Sequence, residues 1–138
     1  MRQEAIFVPM SVLALWTGAM VFMVGFSRIR AVRAGRVRRG AFRLGESADV
    51  PADVTVWNRN LMNLLEMPLL FYVVSIAFYV THQVTSKVVT LAWIYLALRL
   101  AHSLVHVTWN RVLLRLAFYA ASNIVLLWLW SRFVSRVV

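Results

Sequence analysis

The stretch that decides the fold of this chain is Trp57-Asn58-Arg59-Asn60-Leu61-Met62-Asn63-Leu64-Leu65-Glu66-Met67-Pro68. It opens an apolar segment long enough to span a membrane, yet it carries polar side chains that a lipid-facing helix would not. Because an α-helix has about 3.6 residues per turn, Arg59, Asn63 and Glu66 fall on one face. Ionisable groups inside a membrane segment are costly and normally face a bundle interior or a wet cavity, so we expect this face to belong to a functional site.

The composition of the whole chain is that of an integral membrane protein. Its 138 residues are 62% hydrophobic and only 14% charged, whereas soluble domains have about a quarter charged residues. The mean hydropathy is +0.73. We predict a single transmembrane domain over residues 1–138. Because the chain contains no cysteine, disulfides, zinc–thiolate sites and cysteine nucleophiles are excluded.

The positive charge of the chain favours contact with lipids over contact with nucleic acid. The formal net charge is +10. Much of it comes from arginines that lie next to an apolar segment, namely Arg28, Arg30, Arg33, Arg36, Arg38, Arg39 and Arg43. This pattern is membrane-proximal, and it lacks the interleaved aromatic residues of a nucleic-acid-binding face. We therefore expect these arginines to set the topology and contact membrane lipids, and we expect no nucleic-acid partner.

Four apolar runs predict four membrane-spanning helices. They cover residues 5–26, 61–80, 88–107 and 112–134, and a basic connection follows the first over residues 27–53. The first run is too long for the apolar part of a secretory signal and lacks a cleavage site, so we expect a retained helix. Pro68 is placed to kink the second span. The predicted fold is all-α, an up-and-down bundle of four transmembrane helices.

The distribution of basic residues predicts the orientation of this bundle. The first connection holds the arginine cluster and the third holds Arg111, whereas the second holds only Lys87. By the positive-inside rule, the first and third connections are cytoplasmic and both termini lie on the non-cytoplasmic side. Basic residues near the two termini oppose this assignment weakly.

This topology brings polar side chains from all four helices to the cytoplasmic half of the bundle. The second helix starts at that side, the third ends there and the fourth starts there. The residues placed at this level are Arg28, Arg59, Asn63, Glu66, Arg99, His102, His106, Arg115 and Tyr119. We interpret them as one polar layer that could line a pocket.

The charge balance of this layer leaves two interpretations open. A bridge from Glu66 to Arg99 or to Arg59 would simply hold the helices together. However, one carboxylate cannot neutralise three or four guanidiniums in a medium of low dielectric constant. The surplus predicts an anionic guest, and arginine binds carboxylates through paired N–H donors.

The histidines of the third helix do not predict a metal site. His102 and His106 are four residues apart, a spacing that can hold a metal ion, but the surrounding ligand set is thin. Haem is disfavoured because His82 lies at the opposite membrane face. We expect hydrogen-bonded histidines in a polar cavity and no metal. A serine nucleophile, a carboxylate dyad and a Gly-rich phosphate loop are also missing from the sequence.

The order and spacing of these residues resemble one known family. The matching positions are Arg59-x3-Asn63-x2-Glu66-Met67-Pro68, then Arg99-x2-His102, then Arg111-x3-Arg115-x3-Tyr119, with Gly25-Phe26-Ser27-Arg28-Ile29-Arg30 at the end of the first helix. The pattern covers all four spans and resembles the MAPEG family, the membrane-associated proteins of eicosanoid and glutathione metabolism. It looks like a bacterial-type member similar to the microsomal glutathione transferases and microsomal prostaglandin E synthases.

The resemblance implies a homotrimer in the bacterial inner membrane, with glutathione as co-substrate between neighbouring subunits near the cytoplasmic side. Arg28 and Arg59 would hold glutathione carboxylates. Asn63 would be a polar contact, and Glu66 would meet the γ-glutamyl amine. Arg115 would be the catalytic residue beside the sulfur, because a nearby guanidinium favours the nucleophilic thiolate.

The resemblance further implies that Arg99, His102 and Tyr119 line the same pocket. The thiolate would attack a hydrophobic electrophile or a lipid hydroperoxide arriving from the bilayer. Two positions depart from the family pattern, since Met67 and His106 stand where tyrosines are common, although His106 could still hydrogen-bond there. The alternatives are a non-catalytic protein of this architecture that binds lipid or a partner, and a polar layer that only joins the helices.

Overall fold

The computed structural model describes residues 2–43 and 45–137 of the chain. Its α-helices are α1 (Phe7–Arg33), α2 (Ala52–Leu65), α3 (Met67–Val80), α4 (Ser86–Val107) and α5 (Val112–Val137). Short 3₁₀ turns lie at Gln3–Ile6 and Arg39–Phe42, and the described residues contain no strand.

Four helical stretches are long and apolar enough to cross a membrane. They are Gln3–Arg33, Ala52–Val80, Ser86–Val107 and Val112–Val137. The predicted all-α bundle of four transmembrane helices is therefore confirmed. The second stretch contains both α2 and α3.

The first two helices extend further than their apolar runs. Helix α1 continues to Arg33, past the end of the predicted apolar run at residue 26. It therefore includes the first arginines of the basic connection. It ends where Gly35 adopts φ 68° and the Arg36 N–H donates to the carbonyl of Ala31 at 3.0 Å, a typical glycine-terminated helix end. Helix α2 begins at Ala52, directly after Pro51, and not at residue 61.

The second span is interrupted at Glu66. The backbone of Glu66 has ψ −88°, which separates α2 from α3, and Pro68 lies in the first turn of α3. A proline has no N–H to donate and its ring clashes with the preceding turn, so it interrupts a continuous helix. The break places the Glu66 carboxylate at the junction between the two helical segments.

Contacts between chain ends establish the up-and-down arrangement. The side chain of Gln3 donates to the carbonyl of Val84 at 3.3 Å and accepts from the Val84 N–H at 3.0 Å. Arg136 donates to the carbonyl of Gln83 at 3.4 Å. Both ends of the chain therefore lie beside the second connection, and the first and third connections lie at the opposite end. Which end faces the cytoplasm stays a prediction.

The core has a large apolar part and a smaller one. In the large part, the rings of Phe71 and Tyr95 stack with centroids 4.5 Å apart. The smaller part holds the first connection against α1 and α2 and consists of Ala31, Val37, Val50 and Val54.

An ion pair also fixes this connection. Arg36 donates two hydrogen bonds to the carboxylate of Asp53, at 2.7 and 2.9 Å. The hydrogen bond and the charge of Asp53 raise the pKa of Arg36 above its ordinary value. The connection is thereby tied to the first turn of α2.

A buried polar cluster joins α1, α2 and α4. The hydroxyl of Ser103 on α4 accepts from the indole N–H of Trp16 on α1 at 2.9 Å and from the amide of Asn60 on α2 at 2.7 Å. Ser103 and Asn60 are fully buried. This cluster sets the rotation of α2 about its axis and thereby decides which of its residues face outward.

Candidate functional site

The polar face of α2 points away from the core of its own chain. The buried residues of α2 are Val54, Asn60 and Leu64, and Arg59, Asn63 and Glu66 lie on the opposite side. Within a single chain this face does not lie in the helix core, although Arg59 lines a cavity at its edge. The reason is that the interior position is occupied by Asn60, whose Nδ2 donates to the hydroxyl of Ser103.

Arg99 is the charged residue that the fold buries most deeply. Its exposed fraction is 0%. Its Nε donates to the hydroxyl of Tyr95 and its Nη2 to the Oδ1 of Asn123, both at 3.1 Å, and its guanidinium lies 5.1 Å from the ring of Tyr119. Its Nη1 is buried without a hydrogen-bond partner. Among residues 2–43 and 45–137, no carboxylate forms an ion pair with it.

A chain of aromatic contacts leads from Arg99 to the end of the bundle. The rings of Tyr119 and His102 are 5.8 Å apart, and those of His102 and His106 are 5.9 Å apart. The Nδ1 of His102 lies 2.9 Å from the carbonyl oxygen of Arg115 and donates to it, which leaves Nε2 as the second ring nitrogen, buried and without a partner. Both ring nitrogens of His106 are also buried and unpartnered.

A cavity of about 200 Å³ opens beside His106. Its walls include the side chains of Arg59, His106, Asn110 and Arg115, and residues at the start of α2 and just before it complete the lining. Asn110 adopts φ 47° at the turn between α4 and α5, and its Oδ1 accepts from Arg115 at 2.6 Å. The Nε of Arg115 is buried without a partner. This arrangement places a guanidinium and an imidazole on the wall of one cavity.

The structure brings most of the predicted site residues together. Arg59, Arg99, His102, His106, Arg115 and Tyr119 form a continuous group through the contacts described above. Asn63 stays outside this group and donates to the carbonyl of Arg59 at 2.9 Å. Glu66 is exposed at the helix break.

Arg28 forms an ion pair with Glu46, a carboxylate of the first connection. Its Nη2 donates to the Oε1 of Glu46 at 3.1 Å, and its guanidinium lies 5.1 Å from the ring centroid of Phe42. The assumption that Glu66 is the only carboxylate near the layer is therefore wrong. In the part of the chain that the structure describes, neither Arg59 nor Arg99 bridges to Glu66, because α2 turns Glu66 away from α4.

Sequence reasoning missed several residues that hold the site in place. Tyr95 and Asn123 hold Arg99, and Asn110 holds Arg115. The i, i+4 spacing of Tyr95 and Arg99 was a visible signal. The partnership of Asn123 with Arg99 was not, because it depends on the register of α5 against α4.

His102 and His106 are the two histidines of α4. Over the described residues there is no group of three or more His, Asp or Glu side chains that could hold a metal ion. The group instead offers guanidinium donors, two buried imidazoles and a tyrosine ring. Such a set is suited to binding an anion and to moving a proton.

Comparison with known proteins identifies the family. The MAPEG family matches residues 6–135 of the 138-residue chain, a range that includes all the candidate site residues. No curated protein and no solved structure matches the chain. The family match agrees with the four apolar spans and the absence of strands in the described residues. The chain therefore belongs to the MAPEG family, which includes glutathione transferases and related proteins.

Proposed function

We propose that this membrane protein uses glutathione to conjugate a hydrophobic electrophile or to reduce a lipid hydroperoxide. The observation that carries the proposal is the fully buried guanidinium of Arg99, which has no carboxylate partner among the described residues. A buried cation without a counter-ion is costly, so a nearby anionic guest stabilises it. Glutathione has two carboxylates, which match the paired N–H donors of arginine.

The catalytic role of Arg115 is supported by its place in the cavity wall. Its guanidinium lies beside the same cavity as His106 and Arg59. A guanidinium next to a thiol favours the thiolate, which is the nucleophile. The unpartnered ring nitrogens of His106 provide a place for the thiol proton.

Two reactions are open to such a thiolate. Attack on an aromatic carbon that bears chlorine forms a carbon–sulfur bond and releases chloride. With a hydroperoxide, two glutathione molecules are oxidised to the disulfide, and the hydroperoxide is reduced to an alcohol and water. In both cases the hydrophobic substrate reaches the site from the bilayer, since the spans around the site are apolar.

An oligomer is supported by the outward face of α2. Arg59 and Glu66 are exposed on a helix that belongs to a membrane-spanning stretch. Lipid tails cannot satisfy such groups, so a second copy of the chain or a bound guest must cover them. MAPEG proteins are typically trimers, and a homotrimer with glutathione between subunits satisfies this requirement.

The proposal is tested with the purified protein in detergent or nanodiscs. Glutathione is supplied with a chlorinated nitrobenzene or with a lipid hydroperoxide, and the rate is compared with that of Arg115→Ala. The matched control is Arg111→Ala, which removes an exposed arginine outside the cavity wall. We expect a rate above background that Arg115→Ala abolishes and Arg111→Ala keeps. No rate with either substrate, or an equally active Arg115→Ala variant, refutes the catalytic proposal.

Titration calorimetry separates catalysis from binding alone. Glutathione that binds without thiolate absorbance and without turnover indicates a non-catalytic member of the family.

The role of Glu66 is tested in the same assay. Glu66→Gln weakens the binding of glutathione but leaves the binding of an analogue without the γ-glutamyl amine unchanged. Equal weakening for both ligands refutes the pairing of Glu66 with the amine.

A further inference from the structure

The first connection is folded against the bundle over its described residues, 34–43 and 45–51. Val37 and Val50 are buried in the smaller part of the core, which includes residues of α1 and α2. The two ion pairs described above tie the connection to α1 and to the first turn of α2. The connection therefore presents a surface of defined shape at the end of the bundle that is predicted to be cytoplasmic.

This surface contains a cavity of about 680 Å³, here called the connection cavity. One wall comes from residues between Gly35 and Ala41, and the other from Ser47 and Asp49. The Ser47 N–H donates to the carbonyl of Ala41 at 3.0 Å, which holds the two walls together. Gly40 also lines the cavity, so a ligand can approach the backbone closely there. The connection cavity shares no residue with the cavity of Arg115.

The charge of the connection is only partly neutralised by its own carboxylates. Arg36 is paired, but in the described ranges 2–43 and 45–137 none of Arg38, Arg39 and Arg43 forms an ion pair. All three are exposed, and Arg38 lines the connection cavity. Asp49 lines the same cavity, and no ion pair joins it to Arg38. The surface is therefore cationic and also offers one carboxylate.

We propose that the connection cavity and the arginines beside it dock an extended acidic segment of a protein partner. A carboxylate of the segment pairs with Arg38, its backbone lies along Gly40 and Ala41, and Asp49 accepts one of its N–H groups. Guanidinium groups bind carboxylates through paired hydrogen bonds. The volume of the cavity is in the range of ligand-binding pockets.

The mixed lining favours a peptide over lipid headgroups as the occupant. Attraction to anionic headgroups needs only clustered basic residues and no shaped cavity. Arg33, the last residue of α1, already stands at the end of a membrane-spanning stretch, whereas the connection cavity begins after it in the chain. Asp49 repels an anionic headgroup but accepts a hydrogen bond from a peptide. An acidic peptide offers both carboxylates and N–H donors, so it matches Arg38 and Asp49 together.

The connection provides two matched pairs of variants. A Cβ atom built on Gly40 meets no atom within 4 Å, so Gly40→Trp fills part of the cavity without a clash at the backbone. Ala48→Trp is its control, because Ala48 is exposed and does not line the cavity. Arg38→Gln is matched by Arg43→Gln, which removes the same charge from the same connection outside the cavity.

The test measures peptide binding to the full chain in phosphatidylcholine nanodiscs. The probe is a fluorescein-labelled penta-glutamate peptide, followed by fluorescence anisotropy, and a thermal unfolding curve confirms that each variant is folded. We expect the parent to bind this peptide more tightly than a penta-glutamine peptide. Arg38→Gln weakens binding by about five-fold, and Gly40→Trp weakens it without a change in charge. Arg43→Gln and Ala48→Trp bind as the parent does.

Several results would overturn the proposal. Equal binding of the two peptides shows that the surface does not select acidic chains, and an equal loss in Arg43→Gln shows a general charge effect. Unchanged binding in Gly40→Trp shows that the cavity is not used. Displacement by the same concentration of free glutamate shows a small-anion site, and displacement by phosphatidylglycerol in the nanodisc shows a surface for headgroups. A change in oligomer mass with Gly40→Trp shows a contact between subunits. None of these readouts depends on glutathione or on activity.

Discussion

Replacement of Arg99 by methionine separates a ligand-binding arginine from a structural one. In the unliganded protein, Arg99→Met removes the hydrogen bonds to Tyr95 and Asn123 and the contacts with the two tyrosine rings. Hydrogen bonds from a charged donor contribute about 1.5–3 kcal/mol each, and cation–π contacts contribute about 0.5–2 kcal/mol. Against this loss, the substitution removes a buried cation that has no carboxylate partner in the described chain, which costs several kcal/mol.

These opposing contributions are of similar size. The free energy of unfolding of the unliganded variant is therefore expected to lie within about 2 kcal/mol of that of the parent. Truncation of one partner of a buried ion pair would instead cost about 3–5 kcal/mol, because it leaves a charge without its partner. The methionine side chain fills much of the volume of the arginine stem. The variant is therefore expected to fold.

The effect of Arg99→Met on the ligand is expected to be large. If the buried, unpartnered Nη1 of Arg99 donates to glutathione, its removal costs one charge-assisted hydrogen bond of about 1.5–3 kcal/mol and weakens binding by about 10- to 150-fold. The assay is unfolding in mixed micelles, monitored by tryptophan fluorescence, with and without glutathione. Binding to the folded state raises the stability of the parent but not that of Arg99→Met. Arg132→Met, at the other end of the bundle, is the control and keeps the glutathione effect.

Two results would refute this reasoning. If glutathione stabilises Arg99→Met as much as the parent, Arg99 does not contribute to the site. If the unliganded variant loses more than about 3 kcal/mol, Arg99 acts mainly as a structural link between α4 and α5. The second result favours the interpretation in which the polar layer only joins the helices.

Two further substitutions test the residues that hold the site. Ser103→Ala leaves the buried donors of Trp16 and Asn60 without an acceptor, so we expect a loss of about 1–3 kcal/mol in the same unfolding assay; an unchanged midpoint contradicts the role of this cluster. Asn110→Gly keeps the positive φ at low cost but removes the 2.6 Å hydrogen bond to Arg115. We expect unchanged stability and about ten-fold lower glutathione-dependent activity, and full activity shows that Arg115 needs no such support.

Much of this fold could be predicted because the deciding signals are local. Span length, the arginine cluster and the proline after Glu66 can each be read from neighbouring residues, and four spans are present. The spacing of Arg59, Asn63 and Glu66 correctly places them on one face of α2. Spacing alone does not say whether that face points inward or outward.

The inward face of α2 was decided by a contact that is distant in sequence. Asn60 lies next to Arg59, and its burial is possible because the hydroxyl of Ser103 on α4 accepts a hydrogen bond from its amide. The same hydroxyl accepts from the indole N–H of Trp16 on α1. The rule that polar residues of a membrane helix lie in the bundle interior applies equally to Asn60 and Arg59, so it could not predict which of the two is buried. The pairing of Arg28 with Glu46 was hidden for a similar reason, because it depends on how the first connection folds back over α1.

The outward direction of α2 strengthens the argument for a site between subunits. The exposed carboxylate of Glu66, at a helix break within a membrane-spanning stretch, cannot remain in contact with lipid tails. Another copy of the same chain brings more arginines than carboxylates, so assembly alone does not balance the charge. Under the proposed function, the component that completes the site is mostly anionic and also offers a cationic group to Glu66. We infer that a zwitterionic guest with surplus carboxylates fits this combination of charges, which is the chemistry of glutathione and not that of a simple anion.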